Sequence, residues 1–174
     1  NEYLRQSYLT QAIVGLSASY TYNNQGKNIG GNATLMHANF ESSGNVLNLF
    51  ERAFSKKTAE GYYNILGVRY SQYVRGDISL SRKIVTGEKT AFAGRIFAGV
   101  GVPYGNSTAL PFDRLFYVGG SNSMRGWTPR TLGTGNTPAQ DTPYPVQMGD
   151  MSLEANLELR FPIRGMLYGA TFLD

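Results

Sequence analysis

The residues of this chain best suited to a specific polar contact lie in GGSNSMRGW, where Arg125 stands between Met124 and Gly126, beside the only tryptophan, Trp127, and downstream of Gly119 and Gly120. An arginine flanked by glycine and an aromatic points to a loop that packs at a particular place rather than one that merely joins two strands. The alternative is a solvent-exposed turn with an ordinary arginine. Candidates for covalent chemistry are scarce. There is no Cys, which excludes thiolate catalysis, disulfides and Cys-ligated metal sites. The single histidine, His37, has no carboxylate or second histidine at ligand spacing and reads as a hydrogen-bonded strand residue. No Gly-x-Ser-x-Gly elbow is present. Catalytic, metal and cofactor sites are therefore all expected to be absent. Arg75, Gly76 and Asp77 spell an adhesion tripeptide, but it falls inside an alternating strand, where a chance occurrence explains it.

The elements that must position Arg125 are written as alternation. Ala12, Val14, Leu16, Ala18, Tyr20 and Tyr22 fall on one face, with Gly15, Ser17, Ser19 and Thr21 on the other. Strands of globular domains run to about 5 or 6 residues. A tilted membrane strand needs about 9 to 11 and ends in aromatic residues. The same reading predicts strands near residues 12–22, 31–41, 62–84, 90–102, 149–161 and 166–174. Residues 1–10 read as a strand end or loop. The turns Asn23–Asn28, Thr86–Lys89 and Pro162–Gly165 are short, whereas the connections 42–61 and 103–148 are long. Asn45–Phe54 has helical spacing, with Asn45 as a possible cap. In the strand near 90–102, Gly94, Gly99 and Gly101 suggest bending or close approach of another segment.

The second long connection holds six of the seven prolines. A loop of more than about 12–15 residues is usually functional or disordered. Disorder accounts for its Pro- and Thr-rich run at residues 133–145 but poorly for FYVGG and MRGW.

Lengths alternate, so all short turns fall at one end of the strands and both long loops at the other. Transmembrane β-barrels have that asymmetry, with short periplasmic turns and longer extracellular loops. The expected fold is all-β, an antiparallel transmembrane barrel. Six strands are too few to close around such loops, and an open edge is not tolerated in lipid. The chain is therefore expected to be part of a larger barrel. No run of about 20 apolar residues suggests a spanning helix. The 16 Lys and Arg against 12 Asp and Glu are scattered over strand faces and do not form a nucleic-acid patch.

GGSNSMRGW resembles the VRGF/Y signature in the sixth extracellular loop of the BamA/TamA family of outer-membrane protein assembly factors, with Met124 in place of Val and Trp127 in place of Phe or Tyr. PFDRLFYVGG, NLELRFPI and the terminal FLD look like family blocks in the expected order, and the likeness is closest from Tyr62 onward. The resemblance implies the eighth to thirteenth of sixteen strands and a Gram-negative outer-membrane location. It further implies a non-enzymatic role in inserting client β-barrel proteins. Unfolded clients, the lipid bilayer, periplasmic POTRA repeats in the same full-length chain and accessory lipoproteins are the implied partners. It also implies that loop 116–133 folds into the lumen as a brace, with Gly119, Gly120 and Gly126 turning its backbone and Trp127 packing its tip. Arg125 is then the motif arginine, and Glu158 and Asp174 are its partners on the inner wall. Glu158 lies on the polar face of its strand by alternation as well. Asp174 shares a face with Tyr168 and Phe172, so its inward direction requires a bulge or a different choice of apolar face. A passive or receptor-type outer-membrane channel shares the strands but lacks the inserted motif, and a secreted β enzyme lacks its catalytic set.

Overall fold

The computed structural model describes residues 8–27, 30–54, 57–58, 61–133 and 147–174. Most of the first ten residues and of the Pro- and Thr-rich run lies outside them. The principal sheet has six strands, β1 (Gly15–Asn23), β2 (Ala33–Ser43), β5 (Tyr73–Val85), β6 (Ala91–Pro103), β7 (Met151–Arg164) and β8 (Leu167–Leu173). They stand in that order, and every neighbouring pair is antiparallel. β5 and β6 have 13 residues each and β7 has 14. These lengths exceed the roughly 9–11 residues that a tilted membrane strand needs. Among the described residues no helix is long and apolar enough to cross a membrane. The fold is the all-β wall of a β-barrel.

Register explains why the alternation matters. Tyr20, Ala38, Ile78, Ala98 and Leu153 form one continuous row across the sheet, and Tyr22, Met36, Leu80, Ile96 and Ala155 form the next. These rows are apolar and exposed: Ile96 is 58% accessible and Leu153 80%. The opposite face carries His37, Arg75, Asp77, Ser79, Arg95, Glu154 and Glu158. His37 is hydrogen-bonded there through Nδ1 to the Thr21 hydroxyl at 2.8 Å. A sheet greasy outside and wet inside is stable in lipid only as part of a barrel. Ile96→Arg, in the middle of β6, is accordingly expected to cost about 2–4 kcal/mol, and Val102→Arg, next to the strand end, about 0–1 kcal/mol. Urea midpoints of the two variants folded into lipid vesicles measure the difference.

Several boundaries depart from the sequence expectation. The strand expected at 62–84 is two pieces. Leu66 and Gly67 take positive φ, +50° and +81°, and turn a small hairpin of β3 (Asn64–Ile65) and β4 (Val68–Arg69) away from the main sheet. The first long connection therefore runs on to residue 72. β1 starts at Gly15 instead of residue 12; Ala12 makes an isolated parallel bridge with Tyr70. β7 extends to Arg164, into the expected turn Pro162–Gly165, with a bulge at Ile163 next to the proline, and the chain reverses at Gly165 and Met166. Helix α1 covers Asn45–Phe54. Asn45 does not cap it: its side-chain Oδ1 accepts from the Gln72 amide at 3.1 Å and from the Tyr104 hydroxyl at 2.7 Å, which ties the helix to the sheet rim.

The small buried core sits at the long-loop end, where the chain after β6 turns back over the sheet. Leu110 and Leu115 pack on Tyr73. Asn106, also buried, holds the β3–β4 hairpin by donating to the Tyr63 and Tyr70 carbonyls, both at 2.9 Å.

Candidate functional site

The polar faces of β6, β7 and β8 make the floor of the site. Along β7, Ser152, Glu154, Asn156, Glu158 and Arg160 alternate onto it, and Arg95 of β6 stands opposite Asn156. Phe172 of β8 stands opposite Glu158. The loop after β6 descends onto this floor. It is placed first by two notches: a Cβ on Gly99 would lie 2.5 Å from the Phe116 ring, and one on Gly101 would lie 2.5 Å from Leu110. Both glycines lack a side chain where the loop's large residues need the space. Phe116 is then sandwiched, with the Arg75 guanidinium 4.1 Å from its centroid and Phe97 edge-on at 6.0 Å.

The loop reverses sharply at its tip. Gly119, Gly120 and Gly126 have φ of +107°, +96° and +89°. Gly119 is doubly constrained, since a Cβ there would also lie 2.7 Å from the Thr128 carbonyl oxygen. The Gly120 N–H donates to the Trp127 carbonyl at 2.8 Å, and the Trp127 N–H to the Met124 carbonyl at 3.3 Å. This compact turn points the Arg125 side chain at the sheet.

Arg125 meets two carboxylates there. Its backbone N–H, Nε and Nη2 donate to Asp174 at 2.8, 3.0 and 2.8 Å, and Nη1 donates to Glu158. The guanidinium also lies 3.9 Å from the centroid of the Phe172 ring, a cation–π contact. Planar, two-ended donation of this kind is particular to arginine, because lysine has no rigid fork. The Asp174 bonds, and after them the Glu158 bond, raise the affinity of Arg125 for its proton above that of a free arginine, against partial desolvation. The charge is permanent at any accessible pH. Each carboxylate is held in turn. Asn156 donates to Asp174 at 3.0 Å, and Arg160 donates to Glu158 at 2.5 Å.

A second anchorage lies beside the first. Arg95 Nη1 donates to the Asn122 carbonyl at 2.6 Å and to Glu154 at 3.3 Å. Ser123 donates its hydroxyl to Glu154 at 2.7 Å and its carbonyl accepts from Asn156 at 2.8 Å. Loop and wall therefore share one polar network running from Arg95 to Asp174. Among the described residues no group of three or more His, Cys, Asp or Glu is placed to hold a metal ion.

Set against the sequence reading, the structure brings Arg125, Glu158 and Asp174 together. Asp174 reaches the inside without a bulge near it, because the pairing from Leu157–Leu173 to Pro162–Tyr168 is regular. The outward set on β8 is Leu167, Gly169, Thr171 and Leu173, so Tyr168 and Phe172 face inward with the acid. Trp127 does not pack the tip. The residue is 51% exposed, and its hydrogen bonds in the turn are made by its backbone. Sequence reasoning passed over Arg95, Ser123, Glu154, Asn156 and Phe172. All but Ser123 belong to strands; alternation puts Arg95, Glu154 and Asn156 on the polar face without naming their partners, and it gives no sign that Phe172 faces inward.

A six-stranded antiparallel wall with an apolar outer face and a long loop docked on its polar face defines a transmembrane β-barrel with an inserted loop. The Omp85 superfamily domain matches residues 15–174, and the chain belongs to that superfamily of bacterial outer-membrane barrels, which is associated with protein insertion and translocation. No curated protein matches the chain.

Proposed function

We propose that the chain forms part of the barrel of a BamA/TamA-type factor that assembles client β-barrel proteins into the outer membrane without covalent catalysis, and that loop 116–133 is an internal brace. The observation that carries this reading is the two-carboxylate seat of Arg125, which joins the loop to two successive strands at once. A loop fixed across β7 and β8 stiffens that wall, so that strain from client insertion is carried by a different part of a larger, sixteen-stranded barrel. The long connections are then extracellular and the short turns periplasmic. POTRA repeats in the full-length chain deliver unfolded clients, and accessory lipoproteins act alongside them.

Reconstitution tests this reading. The full-length protein in lipid vesicles is expected to accelerate folding of an added unfolded porin, followed by its heat-modifiable mobility and protease protection. A protein that leaves porin folding at the rate of empty vesicles yet conducts ions or solute is a channel, and the proposal fails.

A further inference from the structure

The outer face of the sheet carries one charge that its setting does not explain. Between the strand ends, Arg82 is the only charged residue on that face among the described residues; Arg164, the other, closes β7 beside the turn. Arg82 is exposed and, among the described residues, has no ion-pair partner. A cation on the lipid-facing surface is tolerated only where its charge reaches headgroup depth, and a lone one on an otherwise apolar face is a candidate lipid site. It stands directly opposite Gly94, where the outer face lacks a side chain. From that gap a groove of about 600 Å³ runs over the sheet, walled by Leu80, Ile96, Leu157 and Leu173.

We propose that Arg82 and this groove bind a phosphate-bearing membrane lipid, the phosphate on the guanidinium and one acyl chain along the groove. The chemistry of the two parts is complementary to that ligand. An arginine fork donates two hydrogen bonds to phosphate oxygens, and a trough whose outward-facing side chains beyond Arg82 are aliphatic accepts hydrocarbon. Arg82 lies near the short-turn end of β5, and its flexible stem carries the charge toward headgroup depth. Arg164 is at the strand end beside the turn, where it contacts headgroups as any rim cation does.

The test is native mass spectrometry of the full-length protein in mild detergent, with phosphatidylglycerol added and diacylglycerol as the phosphate-free comparison. Wild type is expected to retain one phosphatidylglycerol at activation energies that strip the others, and to retain no diacylglycerol. Arg82→Gln and Gly94→Leu are each expected to lower that retention by about tenfold, and Arg164→Gln to leave it unchanged. A Cβ on Gly94 would meet nothing closer than 3.8 Å. Gly94→Leu therefore starts its side chain into the groove without a backbone clash, and heat-modifiable mobility verifies that each variant is folded. Gly94→Ala and Arg82→Lys serve if either of the first pair does not fold, each with a smaller loss expected. Equal retention in all folded variants, or equal retention of diacylglycerol, overturns the proposal.

Discussion

Arg125→Glu in the full-length protein is expected to lower the amount of folded barrel in the outer membrane several-fold, more than any other single polar substitution in the loop. The substitution removes the three bonds donated by the guanidinium and sets a third carboxylate beside Glu158 and Asp174, against which the backbone N–H bond alone remains. Asp174 has little solvent access, its side chain being 5% exposed, so repulsion there is poorly screened. Partial rescue is expected from Glu158→Arg and a larger one from Asp174→Arg, because Asp174 receives most of the bonds while Glu158 also holds Arg160. Arg125→Lys keeps the charge and loses the fork, and should fall between wild type and Arg125→Glu. Surface labelling and heat-modifiable mobility of the barrel measure all four. Wild-type levels in Arg125→Glu would remove the brace from the account of function.

Gly99→Ala is the second large effect. The added methyl would enter the ring of buried Phe116, with Cε1 at 2.5 Å and Cζ at 2.7 Å, and overpacking of that kind costs about 1–3 kcal/mol. Phe116→Ala alone is expected to cost about 3–5 kcal/mol. The two together should cost little more than Phe116→Ala, because the ring that the methyl strikes is gone. Equilibrium unfolding of the four proteins of this cycle in lipid vesicles gives the coupling. Strict additivity would mean that Gly99 is not the notch that seats the loop.

The sheet was legible in the sequence because a barrel wall sorts its residues by a period of two, and six such segments separated by unequal connections admit few other arrangements. What alternation cannot report is the sign of a backbone angle. Leu66 carries the apolar face of an extended stretch as well as Val68 does, yet its positive φ turns the chain out of the sheet. Polarity also fails as a guide to direction where the interior itself uses an aromatic side chain. Phe172 looked like an outward residue and made Asp174 look outward with it, whereas the ring is the shelf under the Arg125 guanidinium. Arg125 itself stood out by its glycine and tryptophan neighbours, whereas its pairing with Glu158 and Asp174 came through a likeness to known motifs. The second anchorage was invisible for a different reason: Arg95 and Asn156 are held by the main-chain oxygens of Asn122 and Ser123, and a carbonyl leaves no mark in a sequence.

The seat of Arg125 also fixes an order of events. The partners of Arg125 lie 33 and 49 residues further along the chain, so neither carboxylate is in place until β7 and then β8 have paired. Closing spans of this length has an entropic cost that rises with their length, and contacts so far apart in the chain form late. The glycine notches for Phe116 and Leu110, by contrast, lie in the strand just before the loop. Docking is thus ratcheted: the base of the loop can settle as soon as β6 exists, while its tip stays free until β7 and β8 arrive and lock it.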